Sequence, residues 1–252
     1  MMKGITDTVK HLLIINVIMF IGTMAVGGGN GELFYRWFAL YFPKNDLFQP
    51  WQVITHMFMH GGFTHLLFNM FALWMFGTAV EQQLGSKKFL FIYISAGLGA
   101  VLFQLGYYYF NYIPLHAELI SSGLTSDQIL QMLTSNQAIN GINESQFLKL
   151  QQLFPIYNAS MVGASGCIMG ILAAFGMMNP EAKLMLIFLP IPIKAKYFIP
   201  GIIILDIVSA LTGQSFFSPS NTAYMAHVGG AITGFIIMWY WKKNQFNQNR
   251  WD

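Results

Sequence analysis

The chain has 252 residues, 55% of them hydrophobic and only 9% charged, where an ordinary soluble domain is about a quarter charged. So few charges cannot clothe a water-facing surface, which excludes a soluble globular protein and leaves an integral membrane one. The net charge of +3 comes with no basic cluster larger than two adjacent lysines, which argues against a nucleic-acid partner, and the single cysteine, Cys167, excludes an internal disulfide.

Stretches of about 20 apolar residues mark spanning helices. Six are predicted, at about 11–29, 56–78, 88–110, 161–179, 197–213 and 223–241. The fold class is therefore all-α membrane protein, a six-helix bundle forming one domain over residues 1–252. The first run follows Lys3 and Lys10 and includes Thr23-Met24-Ala25, the outline of a cleaved signal, but it is long enough to stay as a span. Residues 30–55 mix Trp37, Phe38, Tyr41, Phe42 and Trp51 with polar residues, which fits either a loop dipping into the membrane interface or a plain connector. The second span opens with His56, His60 and His65, followed by Asn69. The third leads into a polar insert, 111–160, where Thr125-Ser126 predicts the cap of a short helix through Leu133 and the stretch from Glu144 to Leu153 predicts another. Between the fourth and fifth spans, the segment from Leu184 to Ile193 is apolar but short and broken by Pro190 and Pro192, which predicts an interfacial turn.

The basic residues set the direction. With the amino terminus inside, cytoplasmic segments hold Lys3, Lys10, Lys87, Lys88, Lys183, Lys194, Lys196, Lys242, Lys243 and Arg250, while Arg36, Lys44 and Lys149 fall outside. This positive-inside bias places both termini in the cytoplasm and suits a bacterial inner membrane. Trp239, Tyr240 and Trp241 beside Lys242 and Lys243 anchor the last exit.

Against this apolar background, two polar residues point to chemistry. Ser165 lies near the outer start of the fourth span in Gly163-Ala164-Ser165-Gly166. A helix start offers unpaired N–H groups and a partial positive charge, which suits an oxyanion formed when the hydroxyl attacks a carbonyl. Glycine-flanked serines are common in membrane helices, so the motif is weak without a partner. That partner is His227, in Ala226-His227-Val228-Gly229-Gly230 of the sixth span. Spans four and six run in the same direction, so both residues fall at similar depth. The small faces Gly166, Gly170, Ala174 and Gly230, Gly234 predict close packing of the two helices.

His65 and Asn69 share a face in the outer half of the second span, where they serve either as oxyanion donors or as interhelical hydrogen-bonding groups. His56 and His60, spaced i, i+4, have the spacing of a metal pair but no accompanying carboxylate, and structural hydrogen bonding at the outer rim is the expected role. No metal and no cofactor are expected. Asp206, the one acid within a predicted span, is expected to pair with a neighbouring helix. The predicted pair is therefore a Ser–His dyad whose imidazole is oriented by packing and not by a carboxylate. Cys167 is expected to be a packing residue.

Together, His56-x-x-x-His60 with His65-x-x-x-Asn69, Gly163-Ala164-Ser165-Gly166 and Ala226-His227-x-x-Gly230, in this order across six spans, resemble the rhomboid intramembrane serine proteases. The resemblance covers nearly the whole chain. It implies Ser165 and His227 as a catalytic dyad, an oxyanion site from His65, Asn69 and the Ser165 N–H, and transmembrane protein substrates met in lipid. Some bacterial relatives carry an aromatic residue four after the serine, stacked on the histidine; here that position is Met169. A catalytically silent rhomboid-like chaperone or scaffold is the alternative, and loss of Ser165 or His227 would have marked it. The sequence leaves the oligomeric state open.

Overall fold

The computed structural model describes residues 4–26, 31–186, 189–215 and 222–247. Lys3, Arg250 and positions 27–29 of the predicted first span lie outside the described residues.

The described residues are mainly helical. Helix α1 (Asp7–Ala25) is followed by α2 (Glu32–Phe38), a two-residue strand β1 (Leu40–Tyr41), α3 (Gln52–Thr55) and a 3-10 turn, His56–Phe58. Then come α4 (Phe63–Ala72), a π-helical turn at Leu73–Gly77 and α5 (Thr78–Leu84), which continue as one rod, and α6 (Ser86–Ser121). The insert supplies α7 (Ser126–Ser135), α8 (Glu144–Tyr157) and β2 (Ser160–Met161), and the chain closes with α9 (Ser165–Met178), strands β3 (Lys183–Leu186) and β4 (Leu189–Lys194), α10 (Ala195–Thr212) and α11 (Tyr224–Asn247). Among the described residues, four helices are long and apolar enough to cross a membrane: Asp7–Ala25, Phe63–Leu84, Ser86–Ser121 and Ala195–Thr212. Ser165–Met178 is apolar but shorter.

Several boundaries differ from the sequence expectation. The second long helix begins at Phe63, seven residues after His56, because Gly61 and Gly62 interrupt it. Each glycine costs a helix about 1 kcal/mol relative to alanine. His56 and His60 therefore do not share a helical face; one sits in the 3-10 turn and the other in the link that follows. The third helix runs to Ser121, about 54 Å at 1.5 Å per residue, far beyond an apolar layer of about 30 Å. Its extension is held by aromatic packing of Phe42 against Tyr108, Tyr109 and Tyr112, and Leu119 enters a separate core. The segment expected as a turn is an antiparallel hairpin, with Lys183 opposite Lys194 and Leu184 opposite Ile193. Beside it, Lys194 and Lys196 both bond Glu181 and hold its carboxyl down to about 2.

The insert helices start where capping chemistry allows. Thr125 and Asn143 each accept from the main-chain N–H three residues on, and Gln128 and Gln146 reach back to complete the two capping boxes. Leu119, Ile129, Met132, Leu133, Leu150, Leu153 and Tyr157 form a core of their own. Asn45 ties this unit to the outer segment by donating to the Tyr157 carbonyl at 3.0 Å, and β1 pairs with β2.

At the centre of the bundle, α9 packs between α6 and α11, with residues Gly166 to Ala174 buried. A Cβ on Gly230 would fall on the Gly166 carbonyl, and one on Gly234 on the Gly170 carbonyl. Gly170 and Gly166 meet the Ala96 and Ala100 methyls of α6 in the same way. The small faces predicted for α9 and α11 thus meet each other directly, bringing two backbones into contact.

Candidate active site

Main-chain bonds set the site before any side chain is considered. The Gly163 N–H donates to the His56 carbonyl at 2.9 Å, fastening the loop before α9 to the 3-10 turn. Gly163 has φ +129°, which side-chain-bearing residues rarely adopt, and a Cβ there would come within 2.9 Å of the His65 ring. Glycine is required on both grounds. Ser165 is the first residue of α9, and the first helical bond runs from the Ile168 N–H to the Ala164 carbonyl. The N–H groups of Ser165, Gly166 and Cys167 therefore have no acceptor within the helix.

Across the α9–α11 contact, Ser165 Oγ lies 2.9 Å from His227 Nε2. The other ring nitrogen, Nδ1, lies 3.0 Å from Asp206 Oδ2 on α10. Packing alone was expected to orient this ring; instead it holds a carboxylate partner. Asp206 does pair with a neighbouring helix, and the group it meets there is His227 itself. No spacing rule in the sequence links two residues 21 positions apart on different helices. Met169, four after the serine, packs in the bundle core.

His65 and Asn69 reach the same place. Both line a cavity of about 1040 Å³ with Ser165, His227, Gly163 and Tyr35. The Asn69 amide donates to the His65 carbonyl one turn earlier at 3.0 Å, which leaves its second N–H for another acceptor. His65 accepts from the Gly61 N–H through Nδ1 at 3.4 Å, while the His60 and His65 rings pack edge to face at 5.1 Å. His60 is buried, and its ring meets the Phe58 backbone without reaching full hydrogen-bond geometry at either nitrogen, a weaker contact than the structural hydrogen bond expected of it; Gly61 and Gly62 turn the chain here instead of continuing a helix. His56 does bond structurally, from Nδ1 to the Gln52 carbonyl at 2.8 Å. Burial raises the Tyr35 hydroxyl above its usual range, so it stands at the cavity as a neutral group. Among the described residues, no group of three His, Cys, Asp or Glu side chains has the spacing to hold a metal ion.

The sequence profile of the Rhomboid domain matches residues 47–244, which contain His65, Asn69, Gly163, Ser165, Asp206 and His227, with Tyr35 of the cavity wall lying before it. The chain belongs to the rhomboid family. It is 28% identical over 192 residues to the mitochondrial Rhomboid protein 1 of Saccharomyces cerevisiae, covering 76% of this chain and 42% of that protein. It is 29% identical over 196 residues to Rhomboid protease AarA of Providencia stuartii, covering 74% of this chain and 54% of that protein. A shorter stretch of 96 residues, 36% of this chain and 18% of the relative, is 50% identical to Rhomboid protease GluP of Bacillus subtilis. The chain spans about half the length of the first two relatives. These rhomboid relatives come from both mitochondria and bacteria.

Proposed function

We propose that this rhomboid-family protein is an intramembrane serine endopeptidase that cleaves transmembrane segments of other membrane proteins. The observation that carries the reading is the 2.9 Å contact between Ser165 Oγ and His227 Nε2 at the wall of a cavity inside an apolar bundle. His227 takes the hydroxyl proton as Ser165 attacks the scissile carbonyl, giving a tetrahedral adduct with an oxyanion. The Ser165 N–H, the free N–H of Asn69 and His65 supply the donors for that oxyanion. His227 then protonates the departing amine, and water hydrolyses the acyl-enzyme. Gly163, Gly166 and Gly230 keep side chains out of the path and the helices close, while His56 and His60 support the cavity wall.

The proposed topology has six spans in a single domain, with both termini cytoplasmic, in a bacterial inner membrane. Helix α9, with 14 residues, is about 21 Å long, short of an apolar layer of about 30 Å. Its amino-terminal Ser165 is therefore recessed below the outer surface, at a depth where a lipid-borne helix can present its backbone once locally unwound.

The test is labelling by a fluorophosphonate probe in detergent, comparing wild type with Ser165→Ala and His227→Ala. The expected result is labelling of wild type alone, mapped to Ser165, with Asn69→Ala slowed about 10²–10³-fold in turnover, as for loss of one oxyanion donor. A folded wild type that fails to label would favour the silent scaffold.

A further inference from the structure

We infer that Asp206 is the positioning residue of the hydrolytic site, so that the proposed dyad works as a Ser165–His227–Asp206 triad spread over three helices. This rests on the protease reading above and adds the residue that fixes the state of its base.

The chain of contacts is short and continuous. Asp206 Oδ2 lies 3.0 Å from His227 Nδ1, and His227 Nε2 lies 2.9 Å from Ser165 Oγ. A carboxylate only accepts hydrogen bonds, so Nδ1 must carry the ring proton. That leaves the Nε2 lone pair facing the serine hydroxyl, the tautomer needed to accept its proton. When Ser165 Oγ bonds to the substrate carbonyl carbon, its proton passes to Nε2. The Nδ1 proton stays on the ring, and the imidazolium that forms is bonded to a carboxylate that does not itself take the proton.

The surroundings keep this arrangement in place. Asp206 is 6% exposed, so little water competes for its carboxylate. One turn later on α10, the Ala210 carbonyl accepts from the Tyr107 hydroxyl of α6 at 3.1 Å, which fixes α10 against the bundle. On α11, the Ala226 N–H donates to Gln104 Oε1, also of α6, at 3.2 Å. One helix thus holds the carrier of the acid and the carrier of the base. A purely structural pairing of α10 with α11 predicts the same distances, so the experiment must separate the two.

The comparison is wild type against Asp206→Asn, purified in detergent and measured for fluorophosphonate labelling rate, for kcat and KM on a transmembrane peptide, and for thermal unfolding. Asparagine keeps the shape and a hydrogen bond, but its amide can hold the ring in the wrong tautomer. Labelling and kcat should fall together by about 10²–10⁴-fold, in the manner of other triads, with KM within about twofold and an unchanged unfolding temperature. Labelling and kcat within threefold of wild type would overturn the triad. A wild type that never labels counts against the protease reading instead. Should Asp206→Asn fail to fold, the proton NMR spectrum of wild type decides: a strongly downfield Nδ1–H resonance, absent in His227→Ala, supports the triad, and its absence in wild type at acid pH overturns it.

Discussion

Gly163 is the residue where backbone and chemistry constrain each other most tightly. Its φ of +129° and the His65 ring 2.9 Å from where a Cβ would sit leave no room for alanine. Gly163→Ala should strain the loop by about 1–3 kcal/mol and push His65 away from Ser165. The expected outcome is at least a tenfold loss of labelling rate with a modest fall in unfolding temperature, read by probe labelling and a thermal melt. The glycine was legible in the sequence as a flank of Ser165, and so was the pairing of Ser165 with His227, because each stood alone as a polar group on a small-residue face. Asp206 was visible as a membrane acid but not as the partner of His227, since a contact between helices leaves no periodic trace. The separate fates of His56 and His60 were hidden for a local reason: hydrophobicity continues through Gly61 and Gly62, but helical conformation does not.

At the scale of elements, the α9–α11 contact is a backbone-to-backbone junction. Gly230→Ala places a methyl on the Gly166 carbonyl, and overpacking of this kind costs about 1–3 kcal/mol. Because the same two helices carry Ser165 and His227, the variant should lose labelling as well as stability, and a melt run beside the labelling assay reads both. Glu81 joins a different pair of elements. Its carboxylate accepts from the Thr6 hydroxyl, the Thr8 and Val9 N–H groups and the Ser86 hydroxyl, satisfying the open amino end of α1 and the start of α6. Glu81→Ala leaves those donors unsatisfied at a cost of about 1–3 kcal/mol. None of the groups it bonds lines the cavity, so unfolding temperature should drop while labelling of Ser165 in the folded fraction holds. The small faces were readable from glycine spacing. The hairpin Lys183–Leu186 with Leu189–Lys194 was not, because a short apolar run with prolines carries no clear period.

Across the described residues, three buried clusters divide the work, the smallest of them joining Leu40 and Met161 to Ala100, Val101 and Ala226. Of the two larger ones, the first fills the bundle around α9 and the second closes the insert around Leu119, Leu133 and Leu153. Leu153→Ala removes a fully buried side chain from the second core, a change that costs about 2–5 kcal/mol. Hydrogen exchange should quicken over α7 and α8 while protection of α9 and α11, and labelling of Ser165, stay near wild type. Equal loss in both regions would show the two cores to be one cooperative unit. The membrane class, the helix order and the insert were legible in composition and caps; the reach of α6 beyond the apolar layer was not, because its aromatic partner Phe42 lies in a distant segment. The most direct measurement of the central claim uses wild type and Ser165→Ala in liposomes with a single-span reporter protein, the products being sequenced by mass spectrometry. The account predicts one wild-type cut within or at the outer edge of the reporter's transmembrane segment and none with Ser165→Ala. Equal cleavage by both proteins would contradict it.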